Sequence, residues 1–180
     1  MEQRKKTKRI AFCGLITGFG VLIMLSGGLI PVLTYCAPLA AAALLLPVLI
    51  EYGKASALTV WLATGLVALA VGADKEAAFF YVFTGWYPVL KPRLDAIPRK
   101  SFRLLLKLAA LTSGVAAMYS FLLLLLRPAS VMADFSDMSR WMTVAFCGAL
   151  SLILLVYDGV LLRLAYLYLK KLRPKLAHLI

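Results

Sequence analysis

Long apolar runs, separated by short charged or Pro/Gly-rich punctuation, set the organisation of this chain. A helix that crosses the hydrocarbon of a bilayer takes roughly 20 mostly apolar residues at ~1.5 Å rise each. Residues 10–30 form the first such run, uncharged throughout and stopped by Pro31. A second covers 35–50 and closes at Glu51-Tyr52-Gly53-Lys54; a third covers 55–71 and closes at Gly72-Ala73-Asp74-Lys75-Glu76. The fourth, 77–90, is too short to cross unless it begins in the charged run before it or the bilayer thins around it. Residues 104–126 and 141–169 complete the set. The pattern predicts an all-α, polytopic membrane protein. It is a six-helix transmembrane bundle over 10–169, between a basic N-terminus (1–9) and a basic tail (170–180).

Composition points the same way. Apolar residues make up 63% of the 180 and charged residues 16%, against about 45–50% and 25% in soluble domains. A soluble chain of this length buries only about 70% of its surface and could not hide so much apolar side chain. There is no Asn, and Gln3 is the only Gln.

Basic residues give the spans a direction, because cytoplasmic loops near span ends collect Lys and Arg. Arg4, Lys5, Lys6, Lys8 and Arg9 precede the first span, and Lys54 follows the second. Lys91, Arg93, Arg99, Lys100 and Arg103 follow the fourth, and Lys170, Lys171, Arg173 and Lys175 follow the sixth. The other side has only Lys75, Arg127 and Arg140. Both termini are therefore expected inside, in a multi-pass protein of the cell membrane. The net charge of +12 is accounted for by this bias and by anionic inner-leaflet lipid, so no nucleic-acid partner is expected. The first run is as long as a full span and lacks a convincing small-residue cleavage site, so it reads as a retained helix rather than a signal peptide.

Chemistry-bearing motifs are few. Cys13, Cys36 and Cys147 lie in or beside spans, and an odd count there reads as buried free thiols. His178 has no Cys or carboxylate close in sequence, so neither a metal nor a cofactor is expected. No span carries a His for intramembrane proteolysis. The run Asp158-Gly159-x-x-x-Arg163 lacks the further aspartates that a metal-dependent phosphotransferase needs. No Gly-x-x-x-x-Gly-Lys phosphate loop occurs either. The chain is not expected to be an enzyme, and no catalytic residues are assigned.

Several residues are out of place for a lipid-facing helix. Asp158 lies seventeen residues into the sixth run, where an ionisable group must be paired or wet. Lys107, about one turn inside the fifth span from the same side, is its expected partner in an intramembrane charge pair; a role in coupling or proton movement is the alternative. Glu51 reads as a span-end charge in the headgroup zone. Ala11, Gly14 and Gly18 share one stripe of the first helix, a small-residue surface that lets backbones approach closely. They pack either within the bundle or against another subunit. In Thr84-Gly85-Trp86-Tyr87-Pro88, Pro88 removes a backbone donor, so a kink is expected. Trp86 and Tyr87 form either part of an inner aromatic belt or a cavity wall. Asp74, Glu76, Asp134 and Asp137 are outer-side acids.

A basic segment, the small-residue helix Arg9-Ile10-Ala11-Phe12-Cys13-Gly14-Leu15-Ile16-Thr17-Gly18 and a short fourth span running into a basic loop resemble the substrate-binding S components of energy-coupling factor transporters. Glycines stand at 14 and 18 where that family carries alanines. The resemblance implies an importer subunit that captures a vitamin-like micronutrient from outside. It implies partners as well: a transmembrane coupling subunit docked on Ala11, Gly14 and Gly18, and cytoplasmic ATPases. Convergent aromatics with a few polar groups suit such a ligand, which makes Tyr35, Trp61, Tyr81, Tyr119, Asp74 and Glu76 the candidate substrate-binding residues. A membrane scaffold or assembly factor that holds a partner membrane protein is the alternative.

Overall fold

The computed structural model describes residues 2–27, 33–71, 74–121 and 140–176, and every regular element among them is helical. In chain order these are α1 (Glu2–Gly27), α2 (Leu33–Ala43), α3 (Leu45–Val71), α4 (Lys75–Thr84), α5 (Tyr87–Asp95), α6 (Lys100–Phe121) and α7 (Arg140–Leu167). A π-helical turn (Tyr168–Leu172) and a short α8 (Arg173–Leu176) close the chain. Among the described residues, four helical segments, Lys6–Gly27, Leu45–Val71, Lys100–Met118 and Leu152–Lys171, are long and apolar enough to cross a membrane.

Two prolines and two glycines decide where the other apolar runs break. Pro47 has no N–H to bond the carbonyl of Ala43, and its ring crowds that carbonyl. The helix accordingly breaks at Leu44, whose N–H bonds back to the Ala41 carbonyl at 3.2 Å. Gly53 has φ +79° and ψ −178°, a combination essentially open to glycine alone, and there the chain turns back. Phe12 of α1 stacks on Tyr52, and Gly20 meets Thr64. Met24 clusters with Ala41 and Ala42 before the turn and with Ala68 after it. The stretch from α2 to Tyr52 thus runs antiparallel to α1, and the arm after Gly53 runs parallel to it. The second and third apolar runs are the two arms of this hairpin.

Of the two expectations for the short fourth run, the start inside the charged run is the one observed, and its end moves from Leu90 to Asp95. Helix begins at Lys75, inside the charged run, turns at Gly85–Trp86 and continues through α5 to Asp95. The turn comes from Pro88, which cannot bond the Thr84 carbonyl, and from Gly85, where a side chain would strike the Tyr81 carbonyl at 2.5 Å and Trp61 at 3.1 Å. Pro92 follows in α5 without ending it. The two pieces together run from 75 to 95.

The main core joins Leu46, Phe80, Tyr87, Leu94, Leu111, Val115, Met118, Leu154, Tyr157 and Leu161, drawn from the hairpin, α4–α5, α6 and α7. Outward, the helices remain oily: Ile10, Leu22, Leu105, Leu152 and Val156 are each more than 60% exposed. A soluble monomer does not tolerate an apolar surface of that extent; a bilayer covers it.

Candidate functional site

A knot of charges sits where α5, α6 and α7 converge. Tyr87, Lys91 and Asp95 follow one another at four-residue spacing and share one face of α5. Lys107 lies on the buried face of α6, one turn before Leu111, and Asp158 lies on α7 between Leu154 and Leu161. The Lys107 Nζ donates to Asp158 Oδ2 at 2.8 Å, and the Tyr87 hydroxyl donates to Oδ1 at 2.7 Å. Lys91 pairs with the same Oδ1 and donates to the Asp158 carbonyl at 3.1 Å. Asp95 pairs with Lys107 and lies 3.6 Å from Lys91. Both lysine side chains are almost fully buried, at 6% and 7% exposure. Two ammoniums and two carboxylates sum to zero, so the knot puts no net charge in the bundle. An isolated charge at that depth is costly unless paired and hydrogen-bonded, and here every member has at least one opposite partner.

The structure thus brings together Lys107 and Asp158, as the sequence suggests, and adds three residues that sequence reasoning missed. Hydropathy alone places Lys91 and Asp95 in the basic loop, because the fourth apolar run ends at Leu90. The readable signal is the four-residue spacing of Tyr87, Lys91 and Asp95, which needs the helix to continue through Pro92. Tyr87 is 1% exposed, so it belongs neither to an interfacial belt nor to an open cavity wall. Trp86 donates its ring N–H to the Phe83 carbonyl at 2.6 Å.

A cleft of about 510 Å³ opens beside the knot, lined by Asp95, Lys100, Arg103, Leu104, Lys107, Asp158 and Leu162. At the same end, Arg173 Nε lies 2.9 Å from Glu51, tying the tail to the tip of the hairpin. Glu51 is thus ion-paired at the end of the second run, with its own side chain 9% exposed.

The candidate substrate residues fall toward the opposite end. The Tyr35 hydroxyl donates to Glu76 Oε1 at 2.7 Å, and its ring meets Phe80 edge-on. Asp74 caps α4 by accepting from the Ala77 N–H at 3.0 Å. Trp61 donates to the Tyr81 carbonyl at 3.4 Å. Tyr81 is fully buried, with its hydroxyl facing Thr64 of α3. Tyr35 thus packs on Glu76 and Phe80, and Trp61 on Tyr81. Tyr119 is in α6, but its side chain lies outside the described residues, as do Asp134, Asp137 and His178.

The small-residue stripe faces away from the bundle. A side chain at Gly14 or Gly18 would meet nothing within 4 Å, and Ala11 is exposed. Packing of the stripe inside the protein's own bundle is therefore corrected; the glycine that packs internally is Gly20, against Thr64 at 3.0 Å. Cys36 is exposed and Cys13 half-buried, so Cys36 is not the buried thiol expected, because its face of α2 points outward. The Cys147 side chain lies outside the described residues. Among the described residues no group of His, Cys, Asp and Glu could hold a metal ion. No family model, curated protein or solved structure matches the chain.

Proposed function

We propose that the chain is a six-span subunit of the cell membrane, with both termini in the cytoplasm, that binds a small vitamin-like solute for an ATP-driven importer and catalyses no reaction itself. The observation that carries this reading is the bare outer face of α1. Ala11, Gly14 and Gly18 form a close-approach surface that the protein's own packing leaves unused, which suits docking on a transmembrane helix of another subunit. That partner would be a coupling subunit bound to cytoplasmic ATPases, since this chain has no phosphate loop of its own. The topology is supported by contacts at one end: Phe12 near Tyr52, Glu51 near Arg173, and Lys91 and Lys107 near Asp158. These join the segments that carry most of the basic residues.

A membrane scaffold or assembly factor is the second reading. It is favoured by how Tyr35, Glu76, Trp61 and Asp74 satisfy their polar groups within the protein. Native mass spectrometry of the protein extracted gently from its own membranes separates the two. A complex with a membrane subunit and ATPases, or a retained vitamin-sized mass, is the importer result. A stable ligand-free complex with other membrane proteins is the scaffold result. A C-terminal reporter that is active only in the cytoplasm tests the topology.

A further inference from the structure

We infer that the cleft between the start of α6 and α7 is a binding site for the headgroup of an anionic phospholipid. Its floor is Asp95, Lys107 and Asp158, whose charges are already balanced within the knot with Lys91. Its rim is Lys100 and Arg103, one turn apart on α6, and the knot leaves both of these positive charges uncompensated. Arg103 is half-buried and donates one N–H to the Asp95 carbonyl at 3.4 Å, which aims the guanidinium across the mouth with other donors to spare. The site therefore carries two unspent positive charges above a neutral floor.

The walls say which anion fits. Leu104 and Leu162 line the same cleft and are 47% and 54% exposed, so the mouth opens onto the oily flank of the bundle rather than only toward water. Phe102 and Leu105, both more than half exposed, continue that apolar surface around α6 beside the basic residues. A ligand that matches cations at the rim and apolar side chains along the walls carries a phosphate and acyl chains together. The volume of about 510 Å³ is in the range of small-molecule sites, and basic pockets between membrane helices are suited to such headgroups. This inference needs the protein to be in a bilayer but is independent of the importer reading.

The test uses the full chain in zwitterionic detergent micelles, titrated with phosphatidylglycerol or phosphatidylcholine and read by native mass spectrometry. Phosphatidylglycerol is expected to bind and phosphatidylcholine to bind far more weakly. Each rim charge is worth about five-fold in affinity, so Lys100→Gln/Arg103→Gln should weaken phosphatidylglycerol binding about twenty-five-fold. Arg103→Lys, which keeps the charge, should retain most of it. The control Lys170→Gln/Lys171→Gln removes two basic residues of the tail and should leave binding within about two-fold. Equal loss in the rim and tail variants would overturn the site, because attraction would then be diffuse. Displacement of the lipid by inorganic phosphate would overturn it too, because the acyl chains would then contribute nothing. Unchanged melting temperatures keep misfolding out of the comparison.

Discussion

The knot at Asp158 and the outer face of α1 contrast the two ways a membrane helix presents an unusual residue. At the knot, each charged group has an opposite partner within the chain, and Tyr87 adds a hydrogen bond to the carboxylate. On α1, Gly14 and Gly18 have nothing opposite them at all. Lipid tails are as apolar as leucine, so oily side chains give membrane helices little reason to prefer one another over lipid. Association rests on polar groups and on close packing of small residues. The knot spends the first resource inside the bundle, while α1 leaves the second one facing outward. The same helix illustrates the difference within a few residues, since Gly20 is filled by Thr64 and Gly18 is not.

That contrast can be broken by substitution, and the largest effect is expected at the knot. Asp158→Asn leaves Lys91 and Lys107 with only Asp95 between them, and removing one partner of a buried pair costs about 3–5 kcal/mol. Pairing Asp158→Asn with Lys107→Met restores charge balance between Lys91 and Asp95, so the double variant should lose less than the summed singles. Steric-trapping or thermal unfolding in detergent reads both; strict additivity would show that the charges are not coupled. Tyr87→Phe removes a single hydrogen bond to the carboxylate and should cost about 1.5–3 kcal/mol by the same measurement.

Gly53→Ala is expected to cost about 1–3 kcal/mol, since the strain lies in the backbone and not in crowding; a side chain there meets nothing within 4 Å. No change on this substitution would mean that the hairpin turns by other dihedrals. The smallest effect on folding is expected on α1. Gly14→Leu/Gly18→Leu should leave unfolding of the isolated protein within about 0.5 kcal/mol, as exposed positions do. A larger loss would show that the stripe packs in the bundle after all and would erase the contrast.

The helical class was legible because apolar run length is a coarse signal that survives local irregularity. The hairpin was legible too, from the charged tip at Glu51 and Lys54, although nothing in the run length says that one glycine makes the whole turn. The fourth run was misjudged at its end. Lys91 reads as the start of a loop when hydropathy alone is considered, whereas in the fold it pairs with Asp158 of α7 and α5 continues to Asp95. Half of the knot was therefore readable, from Asp158 and Lys107 at matched depth. The other half, Lys91 and Asp95, shows locally only as four-residue spacing with Tyr87, a signal that counts once the helix is seen to pass Pro92. The aromatic candidates were chosen by type and approximate depth, which cannot tell a ligand-facing tyrosine from one that is packed. Tyr35 and Trp61 are satisfied by Glu76 and by the Tyr81 backbone, respectively.

The most direct test of the outward role of α1 is to purify wild-type protein and Gly14→Leu/Gly18→Leu side by side from their own membranes and weigh the intact complexes. The wild type is predicted to carry a further membrane subunit, and the variant to emerge as a folded chain without it. A variant that retains the same partner as the wild type would contradict the account.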